Sequence, residues 1–242
     1  MKKKIQFIGL NGTMKLPPEN TLESIRQTLE LGAKTIEVNV HVCDSGELVV
    51  IRDSDVDETT NGMGDVEDFT LEELKKLRIQ DQYQIPSLKE VLDCIDGKAK
   101  VIVELSGFGT SNAVSAIIRE YSKKDNWKRK MFLVTSFNWF ELIDFYALDQ
   151  KTRIGVLTKK LSKDVLSLAK AVNAFSIHPK EGKMKKKLLE KAIKKGFKIK
   201  PWVAQIPVFD AMSIEEPEVA PKPQTPLVED IISSSMPEAV GS

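Results

Sequence analysis

Two periods of apolar residues alternate along this chain. Short runs rich in β-branched residues occur at Ile5–Gly9, Thr35–Val42, Lys100–Leu105, Met131–Thr135, Arg153–Leu157, Ala174–His178 and Phe197–Val203, and each predicts a strand. Between them the apolar residues recur at helical spacing. The first helix is predicted from Asn20, with Glu23 completing a capping box, Leu22, Ile25 and Leu29 on one face, and Gly32 as the stop. Thr70–Leu77 and Ser87–Ile95 are short helices opened by a hydroxyl cap, and longer ones are predicted at Ser111–Tyr121, Trp139–Leu148, Lys163–Val172 and Met184–Lys195. This alternation predicts a parallel sheet with crossover helices. Glu47–Ile51 follows a turn at Asp44-Ser45-Gly46 and is predicted as the return arm of a hairpin. A last strand at Glu229–Ser233 brings the parallel set to the eight that such a barrel requires. The predicted fold class is therefore α/β, a (β/α)8 TIM barrel with a β-hairpin extension after strand 2, as a single domain over 1–242.

One stretch breaks the rhythm. Residues 204–227 hold five prolines and four acids, so no helix extends beyond Val208–Ile214, and the segment is expected to be an irregular insertion.

Composition excludes several classes of function. With 41% apolar and 29% charged residues, the chain has the make-up of a folded domain with a packed core. Thirty-six basic and 35 acidic residues give a net charge of +1, which predicts no nucleic-acid partner. Cys43 and Cys94 have neither CxxC nor zinc spacing and are expected to be free thiols in a reducing compartment. Met1-Lys2-Lys3-Lys4 followed by Ile5–Leu10 imitates a signal peptide. Its apolar run is short, contains Gln6 and lacks a cleavage site, so a buried first strand and a cytoplasmic protein without a transmembrane segment are expected.

The chemistry-bearing segments come in a fixed order. Pro17-Pro18-Glu19-Asn20-Thr21 precedes Leu31-Gly32-Ala33 and Ile36-Glu37-Val38-Asn39-Val40; then come Gly46–Asp53, Thr59-Thr60-Asn61-Gly62, Ile85-Pro86-Ser87-Leu88, Val103-Glu104-Leu105 and Thr135-Ser136-Phe137. This series resembles the glycerophosphodiester phosphodiesterase family, whose pattern is His-Arg-Gly, Pro-Glu-Asn-Thr and Glu-x-Asp. The resemblance implies metal-assisted hydrolysis of glycerophosphodiesters in lipid metabolism. A divalent cation, Mg²⁺ or Ca²⁺, would be held at positions that fall on Glu37, Asn39 and Glu104. The two catalytic histidines fall on Leu10 and Arg52, and two phosphate-facing basic positions fall on Asn11 and Ser106.

Those substitutions change what the mouth can do. Leu10 carries no proton, and the Arg52 guanidinium does not give one up near neutral pH. General acid–base assistance is worth about 10²–10⁴-fold, so the expectation is a pseudoenzyme with little activity. Asn39 keeps an oxygen but removes a charge, which predicts weak or absent cation binding. A small phosphodiester or phosphate ligand remains a candidate partner, with Arg52, Asn11 and Ser106 as candidate binding residues. If Ser45-Gly46 is a two-residue turn, Asn39 falls opposite Arg52, whose guanidinium is then expected to pair with Glu37 and Glu104 in place of the cation.

Two other readings compete. A diverged hydrolase would use His41 or His178, the only histidines, each near the C-terminal end of a strand; the plainer expectation is a rim residue and a strand-end packing residue. A scaffold would bind an unknown protein partner through 204–227. Trp139, Phe140 and Phe145 are expected to pack a helix on the barrel, Phe108 and Gly109 to form a turn, and Trp202 to line the mouth or fill the core.

Overall fold

A computed structural model describes residues 18–182 and 184–202, together with the backbone of Ile8–Gly9. The elements in chain order are β1 (Ile8–Gly9), α1 (Leu22–Glu30), β2 (Thr35–Val42), β3 (Leu48–Val50), α2 (Leu71–Lys76), α3 (Leu88–Ile95), β4 (Lys100–Leu105), α4 (Thr110–Tyr121), β5 (Phe132–Ser136), α5 (Trp139–Leu148), β6 (Arg153–Thr158), α6 (Lys163–Ala171), β7 (Ser176–Pro179), α7 (Lys186–Lys194) and β8 (Lys198–Ile199). The strands pair in the order β1-β2-β4-β5-β6-β7-β8, every neighbouring pair parallel, with β3 antiparallel to β2 off this path. This is the TIM-barrel type of α/β fold with the expected hairpin after its second strand. The expected eighth parallel strand at Glu229–Ser233 and the proline-rich 204–227 lie outside the described residues, as do Leu10 and Asn11. Among the described residues no helix is long and apolar enough to cross a membrane.

Strand alternation separates an oily outer layer from a polar interior. On β4, Val101, Val103 and Leu105 are buried in the core shared with the helices, where they meet Val91, Leu92, Val114 and Ile118. Glu104 has the opposite parity. It stands in register with Asn39 on one side and Thr135 on the other, and the same row continues through Gly155 to Ser176. Side chains in register on parallel strands point the same way, so this row is a polar layer inside the barrel. Gly155 is the gap that makes it possible: a Cβ there would lie 2.8 Å from His178 Nε2 and 2.9 Å from Thr135 Cγ2.

Two local expectations need correction. The first helix is capped by Thr21, whose hydroxyl accepts from Ser24 N while Ser24 Oγ accepts from Thr21 N. Asn20 instead sits at φ +59, a left-handed conformation Asn tolerates better than most residues, and Glu23 turns along the helix to Arg26 and Gln27. The hairpin is off by one residue. Its loop is Asp44-Ser45-Gly46, closed by Cys43 N to Glu47 O at 3.0 Å and Gly46 N to Cys43 O at 2.8 Å, with Gly46 at φ +88. Val40 therefore faces Val50, and Ile51 N donates to Asn39 O, so Ile51 and not Arg52 lies across from Asn39. A one-residue slip sends every side chain to the other face. Ile51 packs into a satellite core with Cys43, Val49, Val56, Val66, Leu74, Ile79 and Ile85.

Candidate functional site

A cavity of about 610 Å³ opens at the C-terminal ends of β2, β4 and β5, where barrels of this type assemble their sites. Its walls include Asn39, Arg52, Glu104, Ser106, Ser136 and Asn138, with Phe108, Phe137 and Phe140 on the apolar side. The segment carrying Ser106 and Phe108 is fixed from below by Glu141. That buried carboxylate accepts from Gly109 N (2.6 Å), Thr110 Oγ1 (3.0 Å), Ser111 N (3.0 Å) and Ser111 Oγ (2.8 Å). It thereby satisfies two of the free N–H groups at the start of α4 and complements the positive end of its dipole.

Glu37 and Glu104 stand on neighbouring strands with Asn39 beside them. Both carboxyls are pushed up to about 7 by withdrawal from water; Glu37 is raised further by Glu104 and drawn down by Lys200, and Glu104 is drawn down by a hydrogen bond from Asn39. Asn39 is held from three sides: its Nδ2 donates to Ser106 Oγ at 3.3 Å and to Glu104, and its Oδ1 accepts from Asn20 Nδ2 at 3.5 Å.

Glu37, Glu104 and the Asn39 carbonyl oxygen are the residues that would hold a divalent cation, with one negative charge fewer than three carboxylates would supply. Mg²⁺ and Ca²⁺ require several hard oxygens, preferably charged. Here Asn39 brings an uncharged oxygen, engaged by Asn20 at 3.5 Å, and its amide N–H group faces Ser106 and the Glu104 carboxylate. Among the described residues no group of three His, Cys, Asp or Glu side chains converges on one point.

Arg52 lines the cavity, but it does not pair with Glu37 and Glu104 as the two-residue turn predicted. Its Nη1 lies 2.9 Å from Glu19 Oε1 and its Nη2 2.6 Å from Asp53 Oδ2, with about half of the side chain exposed. The cause is the shifted register. Among the described residues, the cation whose charge acts on Glu37 is Lys200, just past β8, which no sequence motif marks.

Neither histidine lines the cavity. His41 is buried, its Nε2–H donating to Arg52 O at 3.3 Å, and its ring is packed so closely on Gly107 that a Cβ there would lie 2.8 Å from Nδ1. Burial pulls its pKa down. His178 is buried inside the barrel and shares a 2.8 Å hydrogen bond with Ser176 Oγ; burial, then the charge of Lys200, lowers it to about 4.

The aromatic expectations divide. Phe145 packs in the core, whereas Phe140 is 76% exposed at the mouth and Trp139 is partly exposed. Phe108 and Gly109 form the expected turn, and Phe108 also lines the cavity wall. Trp202 meets Phe137 edge to face at 5.5 Å and donates from Nε1 to Thr158 O, which places it beside the mouth.

The fold and the mouth at the strand ends define an α/β-barrel protein with an acid-containing cavity. The sequence matches the glycerophosphoryl diester phosphodiesterase family over residues 9–216, and the chain belongs to that family. It is 34% identical over 208 residues to a glycerophosphodiester phosphodiesterase of Caldanaerobacter subterraneus subsp. tengcongensis, covering 82% of this chain and 85% of the relative. It is 30% identical over 176 residues to one from Bacillus altitudinis, covering 67% and 70%. Among solved structures, an Oleispira antarctica phosphodiesterase in complex with the product sn-glycerol-3-phosphate superposes with a TM-score of 0.73 at 24% identity, covering 82% of this chain and 84% of that one. A glycerophosphodiester phosphodiesterase from Agrobacterium tumefaciens gives 0.67 at 21% identity, covering 82% and 86%.

Proposed function

We propose that this chain is a member of the family that acts in glycerophosphodiester metabolism as a binder of a phosphate-bearing ligand, with hydrolysis lost or strongly impaired. The observation that carries the reading is Asn39, whose amide is hydrogen-bonded among Asn20, Ser106 and Glu104 where a third carboxylate would complete a cation site. Two carboxyls and a neutral amide supply one charge fewer than three carboxylates and hold a cation more weakly, so on this reading Glu37, Asn39 and Glu104 form a vestigial site. The positions of the two proton carriers are Leu10 and Arg52, and neither side chain exchanges a proton near neutral pH.

Phosphate binding is supported by what remains. The Arg52 guanidinium is half exposed at the cavity wall, and Ser106 and Asn138 offer polar groups around the same space. Asn11 joins this set by its place in the motif. The relative from Oleispira antarctica holds sn-glycerol-3-phosphate, and a ligand of that size suits a cavity of about 610 Å³.

Isothermal titration with sn-glycerol 3-phosphate, in buffer carrying EDTA, tests the proposal. Saturable binding that weakens in Arg52→Ala is expected. Binding that appears only when Mg²⁺ or Ca²⁺ is added would contradict it.

A further inference from the structure

The near-zero net charge conceals a strong segregation. The strands are entered through short segments that gather at the N-terminal face of the barrel, opposite the mouth: residues 31–34, 96–100, 122–131, 149–153, 172–175 and 195–198. These segments hold twelve Lys or Arg and three Asp, a net of +9 within a chain whose total is +1. Lys34, Lys98, Lys100, Lys130, Lys151 and Lys198 are all exposed, and among the described residues none of them makes an ion pair. Attraction to the negative ends of helix dipoles accounts for cations in the last helical turn. Five of these six lie beyond it, on loops or first strand residues, and Lys130 lies in the single 3-10 turn Arg129–Met131 that leads into β5.

The face also has texture. A groove of about 440 Å³ runs between the starts of β6, β7 and β8, with Lys151, Arg153 and Lys198 in its lining and no carboxylate. Arg153 and Lys198 each stand 4.4 Å from the centre of the Phe175 ring, which holds two of the charges together. Exposed aliphatic side chains stand at the helix ends that border the same loops: Leu31 (58% exposed), Leu148 (44%) and Ile193 (41%).

We propose that this N-terminal face is a docking surface for an anionic lipid bilayer, holding the barrel with its mouth turned toward water. Ten of the twelve cations are lysines, point charges on long stems that suit a smeared surface charge better than the forked recognition arginine gives to nucleic acid. Base stacking would need exposed rings. The exposed Phe108, Phe137, Trp139 and Phe140 all follow β4 or β5 at the opposite face. Isolated leucines and an isoleucine among lysines match the interface of a bilayer, where aliphatic groups enter the headgroup layer and ammonium groups meet phosphate. The surface is independent of the mouth, so it stands whether or not hydrolysis is lost.

Co-sedimentation of the full chain with vesicles tests this. Neutral phosphatidylcholine vesicles are compared with vesicles carrying about 30 mol % phosphatidylserine, at low salt and at about 0.5 M NaCl. Each lysine near an anionic surface contributes about fivefold to partitioning, so the triple variant Lys100→Glu, Lys151→Glu, Lys198→Glu is expected to lose about 100-fold or more. The triple variant Lys159→Glu, Lys160→Glu, Lys185→Glu carries the same net charge on the mouth side and is expected to keep most of the binding. Melting curves check both folds, and the corresponding Lys→Gln triples replace any variant that fails. Three results overturn the proposal: no preference for anionic vesicles, equal loss in the two triples, or tighter binding to duplex DNA than to vesicles at the same ionic strength.

Discussion

Asn39 and Glu104 stand in register on adjacent strands, and the amide of the first donates to the carboxyl of the second. An aspartate at the same position would set a carboxylate against a carboxyl already pushed up to about 7. Asn39→Asp is therefore expected to destabilise the cation-free protein by about 1–3 kcal/mol, and the loss should be recovered when Ca²⁺ or Mg²⁺ is added. Thermal melts with and without cation read both effects. A variant as stable as the parent in EDTA would show that the amide contributes nothing there.

The raised carboxyls set a pH dependence. Glu37 and Glu104 hold their protons more tightly in the folded chain than at their ordinary value of 4.5, so the native state binds more protons between about 4.5 and 7. Their contribution to stability is fully present below 4.5, falls as pH rises toward 7, and is flat beyond. Glu104→Gln removes one of the two groups and relieves the other of a like charge. It should flatten that slope and raise stability at pH 8 by about 1–3 kcal/mol. Chemical denaturation at pH 5 and pH 8 measures it, and an unchanged slope would contradict the assignment.

Arg52 separates stability from binding. Its pairs with Glu19 and Asp53 are half exposed, and such pairs contribute less than about 1 kcal/mol. Arg52→Ala should thus leave the melting temperature nearly unchanged. Loss of a charged donor to phosphate is expected to weaken sn-glycerol 3-phosphate by about tenfold or more, read by calorimetry.

Glu141 is the opposite case. Its buried carboxylate faces four donors at the start of α4, so Glu141→Ala takes this acceptor from Gly109 N, Ser111 N and Ser111 Oγ, while Thr110 Oγ1 retains Gly107 O. A loss of about 2–4 kcal/mol is expected, in the range of a helix cap plus buried unsatisfied donors. Urea denaturation measures it.

Most of the barrel was legible because its parallel strands are apolar runs and its helices carry capping hydroxyls. Thr70 and Ser87 are caps in the structure as in the sequence. Asn20 was misread because a PENT-like run offers two adjacent capping side chains, and only the tertiary contact with Asn39 decides which one turns inward. Arg52 was misplaced by a single choice of loop length, which periodicity does not specify and Gly46 at φ +88 does. Lys200 and the basic N-terminal face were out of reach for another reason. Their residues lie far apart in sequence, and only the order of the strands brings them together.

The central claim is that the mouth no longer hydrolyses a phosphodiester. Incubation of the purified chain with glycerophosphocholine and Mg²⁺, Ca²⁺ or Mn²⁺, with release of sn-glycerol 3-phosphate followed in time, tests it most directly. The account predicts no release above the protein-free control with any cation. Cation-dependent release that disappears in Glu104→Gln would contradict it.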